Sequence, residues 1–453
     1  MMKYDSYKDS EIDWLGNIPE HWSNHRVDWI STLIRGNTGF KKDELLNNGE
    51  YVALQYGKTY KVDEVNNTFK YFVNSEFYKN GQIVRRGDTI IISTSETIED
   101  LGHSCFYNRD DLGLIGGEQI LLKPNRKLVI GKYLYYYSKK FCTELQKYPT
   151  GLKVFRFNID DLKRIFLAIP SLPEQTAIAN YLDIKTQAID KKVSLLEKKI
   201  GYYLELRKSL INETVTIGFD KNVKLKNSGI DWIGRIPEHW GVIRAKAVFK
   251  EINLKSLTGS GDLLSVSEYY GIAKKSDIMG DEDYVSRAET LEGYKLCRKG
   301  DLVINIMLAW KRGLGVSEYD GLISPSYAVY RLISRHACPQ YFHYLLRTDQ
   351  YIAEFKKNST GIIDSRLRIY SDKFYNISIL LPPQSEQEEI AYYLDKKTSQ
   401  LDQIIANVKS QITILKELRK TLINDVVTGK IKVINDEEEI EESIKEADQI
   451  AIK

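Results

Sequence analysis

One opening occurs twice in this chain. Residues 10–22 read SEIDWLGNIPEHW and residues 228–240 read SGIDWIGRIPEHW, identical at ten of 13 positions. Two further pairs follow in the same order. Arg85-Arg86-Gly87-Asp88 is echoed by Arg298-Lys299-Gly300-Asp301, and Thr150-Gly151 by Thr360-Gly361. A repeat on this scale requires that the same supersecondary frame be built twice. With 453 residues the chain is also too long for one hydrophobic core.

Each half closes on a long heptad stretch. In the first, Ala179, Leu182, Ile189, Val193, Leu196, Ile200, Tyr203 and Leu210 recur at alternating spacings of three and four, with Thr186 and Arg207 in the same seam. The second repeats the pattern 212 positions later: Ala391, Leu394, Thr398, Leu401, Ile405, Val408, Ile412, Leu415, Arg419 and Leu422. The polar exceptions recur too, which makes them candidate register pins. Two long helices with matching seams are natural partners in an antiparallel coiled coil. A helix over 173–216 would span roughly 66 Å at 1.5 Å per residue.

The expected organisation is a globular block over 1–172, a helix over 173–216, a linker over 217–226, a second block over 227–384, a second helix over 385–428 and an acidic tail over 429–453. The fold class is α+β: two similar β-rich blocks, each followed by a long helix, related by a pseudo-two-fold axis. Strands are expected at 90–93, 119–122, 302–306 and 327–332, with helices at 132–147 and 339–356. Outside the shared anchors the blocks diverge, as expected if each reads something different.

Several chemistries are not indicated. The four cysteines, Cys105, Cys142, Cys297 and Cys338, are too scattered for a zinc site or a disulfide framework. No phosphate-binding G-x-x-x-x-G-K-[ST] loop is present. Ser324-Pro325-Ser326-Tyr327 lacks the second proline of an adenine-methyltransferase loop. No catalytic or metal-binding residue is therefore expected. His21 and His239 hold equivalent places in otherwise divergent blocks, which favours a structural role. The N-terminus has no apolar core of a signal peptide, so a cytoplasmic protein is expected. A net charge of only +3 does not announce a nucleic-acid binder. The 30 tyrosines fit either a binding surface or low-GC coding.

Together the repeated I-D-W-[LI]-G-x-I-P-E-H-W opening, the Gly-Asp turn before an apolar strand, the Thr-Gly element and the E-Q-x-x-I-A-x-Y-L-D helix ending in L-R-K-x-L-I-N resemble the specificity subunits of type I restriction-modification systems. The resemblance runs to about residue 430 and occurs twice. It implies two target-recognition domains, each reading one half of a bipartite, asymmetric site on double-stranded DNA. It implies a coiled-coil spacer and a non-catalytic role. It also implies methylation (M) subunits, two of them, and restriction (R) subunits, which would hold S-adenosylmethionine, ATP and Mg. The acidic tail lies outside that pattern. The alternative is a coiled-coil scaffold without sequence-specific DNA reading, which would leave the two divergent blocks unexplained.

Base edges are read by amide, hydroxyl and basic side chains, and phosphates by basic ones. The DNA-binding candidates of the first block are Gln55, Tyr56, Lys58, Tyr60 and Lys61, then Ser93, Thr94, Ser95 and Thr97, then Lys153 and Arg156. Those of the second are Lys274, Lys275, Asn305, Trp310, Lys311, Arg312, Arg366 and Arg368.

Overall fold

The computed structural model describes residues 2–147, 150–151, 153–220, 222–278 and 290–433. The acidic tail from Asn435 lies outside the described residues, as does position 221 of the linker. The chain forms two compact units, one of Met1–Glu197 with Ser410–Lys453, the other of Lys198–Lys409. The two long helices, Leu172–Ile217 and Gln384–Val427, each contribute one part to either unit.

In the first unit the repeated opening forms a ribbon, Tyr7–Asp9 antiparallel to Asn17–Pro19, that leads to the fully buried Trp22. A five-stranded sheet runs in the order Ser31–Arg35, Gln119–Pro124, Thr89–Ile92, Ser104–Tyr107, Glu64–Val65. Thr89–Ile92 is buried at every position, which is why its sequence is a continuous rather than alternating apolar run. A four-stranded sheet of Phe72–Val73, Tyr51–Leu54, Gly113–Ile115 and Ile83–Val84 carries the part peculiar to this block. The helix Gly131–Leu145 packs its tyrosines into the core.

The second unit repeats the frame. Leu225–Asn227 pairs with Arg235–Pro237, and a four-stranded sheet runs Phe249–Glu251, Tyr327–Leu332, Leu302–Asn305, Leu314–Val316. Where one helix is expected over 339–356, the structure has two, Pro339–Leu345 and Asp349–Lys357. Thr348 takes an extended backbone at the start of the second helix, and the Arg347 guanidinium is drawn to the carbonyls of Arg312, Glu268 and Tyr269.

The Gly-Asp turns enter the central strand in both units. Gly87 and Gly300 have φ of +96° and +88°, a region that favours glycine. Asp88 and Asp301 each accept a hydrogen bond at 2.9 Å from the backbone N–H three residues earlier. Their neighbours differ. Asp301 also receives Arg331 Nε at 2.9 Å and Nη2 at 2.8 Å. The same place in the sheet beside Asp88 holds Lys123, by the matching registers Leu122↔Thr89 and Leu302↔Tyr330. Burial pushes the Asp88 carboxyl up to about 6, against the lowering pull of the Arg85 N–H and of Lys123. The folded value lies above the ordinary one of about 3.9, so the stability it contributes is present below about pH 4 and is lost as pH rises through about 6. Asn resembles the protonated acid, so Asp88→Asn is expected to be near neutral below about pH 4, to be stabilising at pH 8 and to flatten the slope between pH 4 and 6. Asp301→Asn strands Arg331 and is expected to cost about 2–3 kcal/mol at pH 8. Chemical denaturation at pH 5 and pH 8 separates the two.

Each long helix begins on the same anchor. In the first unit Glu174 accepts the Tyr4 hydroxyl at 2.7 Å and Trp22 Nε1 at 3.2 Å, and lies 2.8 Å from His21 Nε2. In the second, Glu386 accepts Trp240 Nε1 at 3.0 Å and lies 2.8 Å from His239 Nε2. A carboxylate in the first turn also suits the helix dipole. The repeated Pro-Glu-His-Trp thus clamps a helix start, which is the structural role expected of the two histidines.

The helix parts run antiparallel within each unit. In the first, Asp190 meets Arg419 Nε at 3.0 Å while Glu197 meets Lys416 at 3.7 Å, so one number rises as the other falls. In the second, Arg207 Nε meets Asp402 at 3.1 Å, and Val215 shares a core with Ile390 and Leu394. Seam residues Leu182, Thr186, Val193, Leu394, Thr398, Leu401, Ile405, Val408 and Ile412 are buried. Ile189, Leu196, Ile200, Arg207 and Arg419 are half-buried.

The polar seam residues do more than face the other helix. Thr186 lies 3.1 Å from the Tyr136 hydroxyl, which donates to Asp183 at 2.6 Å, and Thr398 and Asp395 hold Tyr344 in the same way. Arg419 Nη2 also meets Asp63 of the block at 2.7 Å, where Lys139 Nζ meets it too. Burial alone would raise the Asp63 carboxyl, yet those two cations hold it well below its ordinary range. The threonines tie each helix to its own block, and Arg419 ties the second helix to the first block.

Candidate nucleic-acid interface

In the first unit, the candidates come together around a short helix and a small ribbon. Gln55 precedes the helix Tyr56–Thr59 and donates its side-chain amide to the Phe40 carbonyl at 3.1 Å. One turn apart, Tyr56 and Tyr60 stack with centroids 5.7 Å apart and planes 19° from parallel. Lys58 Nζ lies 4.4 Å from the Tyr71 ring centroid and Lys61 Nζ lies 5.5 Å from that of Tyr60. Burial and the neighbouring acids raise the pKa of the Tyr56 hydroxyl, which hydrogen-bonds with Ser95. It therefore remains a neutral group able to donate.

The ribbon joins distant stretches of sequence. Thr94 pairs with Arg156 and Ser95 with Phe155. Thr94 Oγ1 donates to Glu118, whose φ of +62° is rare for a residue other than glycine. Ser93 and Ser95 are buried and serve the platform: Ser93 accepts from Phe157 N–H, and Ser95 Oγ accepts from Thr97 N–H. Thr97 Oγ1 is turned to Asp100 at 2.9 Å. Arg156 and Lys153 remain exposed beside this strip.

The second unit builds a different surface on the same frame. Trp310 donates Nε1 to the Met307 carbonyl at 3.0 Å, and its ring centroid lies 4.9 Å from the ammonium groups of both Lys311 and Lys356. This makes a positively charged aromatic plate. Arg368 Nη2 lies 3.7 Å from Met307 Sδ, and Arg366 is exposed nearby on the same loop.

Three candidates of this unit point elsewhere. Asn305 is buried and its Oδ1 accepts the Met307 N–H at 3.1 Å, so it shapes the turn instead of reaching the surface. Arg312, with φ of +64°, is ion-paired with Asp349 and donates to the Arg347 carbonyl at 3.1 Å. Lys274 meets Asp262 at 2.7 Å on the hairpin Leu264–Ser267/Gly271–Lys274, with Lys275 opening the short helix that follows. Lys356 and Tyr71 were not among the candidates. Lys356 stands four residues before Thr360, whereas Lys147 stands three before Thr150, so the repeat does not mark it. Tyr71 is brought in only by folding.

The two Thr-Gly elements have one design. Thr150 and Arg156 exchange both backbone hydrogen bonds at 3.0 and 2.9 Å, and Thr360 and Arg368 do so at 2.8 and 3.0 Å. Gly151 and Gly361 sit at φ of +108° and +146°, and a Cβ on either would lie 2.1 and 2.6 Å from a carbonyl oxygen across the loop. Each element therefore ties off a short loop and sets an arginine at its foot. Among the described residues, no group of His, Cys, Asp or Glu could hold a metal ion, and no helix is long and apolar enough to cross a membrane.

Residues 19–200 match the family model of the type I restriction modification DNA specificity domain. The chain is 24% identical over 441 residues to the MjaVIII type I restriction enzyme specificity subunit of Methanocaldococcus jannaschii, covering 92% of this chain and 95% of that one. It is 22% identical to the EcoKI specificity subunit of Escherichia coli, over 92% of this chain and 90% of that one. The fold is similar to that of a chain from a type I R-M system solved in a study of complex assembly and conformational transition, with a TM-score of 0.65 at 15% identity, covering 91% of this chain and 99% of that one. It is also similar to the HsdS subunit from Thermoanaerobacter tengcongensis, with a TM-score of 0.52 at 17% identity, over 91% and 98% of the two chains. The frame built twice and the tied Thr-Gly loops thus go with a chain whose residues 19–200 match the specificity-domain model and which is similar over 92% of its length to type I restriction enzyme specificity subunits.

Proposed function

We propose that this chain is the DNA-reading subunit of a type I restriction-modification complex, each unit addressing one half of a bipartite, asymmetric site. One observation carries the proposal. The anchors Glu174/Glu386 and the tied loops at Thr150/Thr360 are the same in both units, whereas the surfaces beside them differ: a stacked tyrosine pair in one, a tryptophan between two lysines in the other. A shared frame with unlike surfaces suits two unlike half-sites. The long helices set the gap between the half-sites, since a stiff helix defines a spacing that a flexible linker would leave open.

The chemistry then belongs to partners. Two methylation subunits would supply adenine methylation with S-adenosylmethionine, and restriction subunits would supply ATP- and Mg-dependent cleavage. This chain contributes position and selection, and no catalytic group. Mapping methylated adenines across the genome, in cells with and without the chain, tests this. One bipartite motif should be methylated only when the chain is present. Methylation of the same adenines in its absence would remove the proposal.

A further inference from the structure

Ile362 is the most exposed large apolar side chain among the described residues, at 101% of its reference area, and Ile363 beside it is at 51%. Nothing in the fold calls for them there. The loop that carries them is nevertheless held tightly. Thr360 and Arg368 close its foot with two backbone hydrogen bonds, and the 2.6 Å clearance at Gly361 admits only glycine. Lys356 Nζ holds its far side through Asp364 at 3.1 Å. The loop and the surface it is tied to carry positive charge: Arg366 is exposed, Arg368 lies against Met307, and Lys356, which holds Asp364 of the loop, lies with Lys311 against Trp310.

The repeat adds a second observation. The residue after the glycine is Ile362 in the second block and Leu152 in the first. Leu152 lies outside the described residues, so this point rests on sequence alone. Two otherwise divergent blocks both carry a branched aliphatic directly after the Thr-Gly pair.

We propose that Ile362 is a wedge that enters the base stack of duplex DNA and partly unstacks one step of the half-site read by the second unit, with Arg366 and Arg368 on the flanking phosphates. The inference rests on the DNA-reading function and deepens it. Proteins that bend DNA insert single apolar side chains between base pairs and recover the unstacking cost through contacts that the bend allows. Pyrimidine–purine steps open most easily, so a wedge selects sequence without a hydrogen bond to any base edge. Ile362 would thus determine specificity although it can read no donor or acceptor.

The test uses the complete chain assembled with its partner subunits, on its own recognition duplex carrying 2-aminopurine at successive positions of that half-site. The fluorescence should rise at one step with the native chain and with Ile362→Leu, and stay low there with Ile362→Ala. Affinity for the duplex should fall about tenfold for Ile362→Ala, a difference of about 1.4 kcal/mol. An adenine extruded by a methylation subunit brightens whatever residue stands at 362, so only the signal that Ile362→Ala removes counts. Native fluorescence and affinity in Ile362→Ala would overturn the wedge while leaving DNA reading intact. Failure of Ile362→Ala to assemble with the partner subunits would also overturn it, by making the tip a protein contact. Failure of the native complex to bind any duplex would remove the reading function, and the wedge with it.

Discussion

Exchanging residues 245–377 for the corresponding stretch of a related chain should change one half of the methylated motif completely and leave the other half and the gap unaltered. The boundaries follow from the structure. Gly241–Arg244 pairs with Ser378–Leu381 in a two-stranded ribbon that frames the second block. The exchanged stretch carries Trp310, Lys311, Lys356 and the 361–367 loop, while Trp240, Glu386 and Gln387 remain in place. Losing a correct set of base contacts costs about 1–3 kcal/mol per base pair, so several together abolish recognition of the old half-site. Methylation mapping reads the result directly. A change in both halves would mean that the blocks do not read independently, and a change in neither would place the reading residues outside the exchanged stretch.

Gln175→Leu should destabilise the first unit by about 3–4 kcal/mol, and Gln387→Leu the second by a similar amount. Both side chains are fully buried. Gln175 accepts the Ile130 N–H at 2.8 Å and donates to the carbonyls of Leu128 at 3.1 Å and Pro170 at 2.9 Å. Gln387 accepts the Cys338 N–H at 2.9 Å and donates to those of His336 at 3.1 Å and Pro382 at 2.8 Å. One amide thus joins the start of a long helix, the strand exit before it and the loop that opens the neighbouring helix. Leucine is close in size but leaves three backbone groups unpaired, one buried and two partly buried, at about 1–3 kcal/mol each and less than additively. Thr176→Ala, at the exposed next position, is the control and should stay within about 0.5 kcal/mol. A loss below about 1 kcal/mol for Gln175→Leu in denaturant titrations would mean that water replaces the amide.

What could be read in the sequence was whatever is local or repeated. The long helices were legible because apolar spacing follows directly from helical geometry. Both tied loops and both Gly-Asp turns were marked by glycines that their φ values require. The ion pairs of Arg207 and Arg419 were within reach as well, since Asp190 and Asp402 recur at the same offset of 212 as the arginines. The break at Thr348-Asp349 has the composition of a helix start, but the aromatic period on both sides masked it.

The fate of single polar side chains was not legible. Arg312 and Arg368 look alike in sequence, yet one is taken by Asp349, 37 residues away, and the other borders the surface. Asn305 ends the strand Leu302–Asn305, one residue short of the expected 302–306, and the turn after it consumes its amide. The strip of Tyr56, Thr94 and Arg156 joins residues a hundred positions apart, and only sheet register brings them together. Which arginine is free depends on long-range pairing that no local pattern encodes.

The first unit is assembled from both ends of the chain. Trp22, Ile178 and Leu182 share a core with Leu422, Ile423, Val426 and Val427, and Lys432 N–H donates to the Met2 carbonyl at 2.9 Å. The second unit is one unbroken stretch, Lys198–Lys409. Order of completion is therefore the reverse of order of synthesis. A chain emerging from the ribosome can finish its second unit while the first still waits for its closing helix. At typical elongation rates the intervening residues take on the order of 10–40 s to make. Throughout that interval the apolar faces of Trp22 and Leu182 lack their partners, and an mRNA or chain cut short before residue 410 would leave them so.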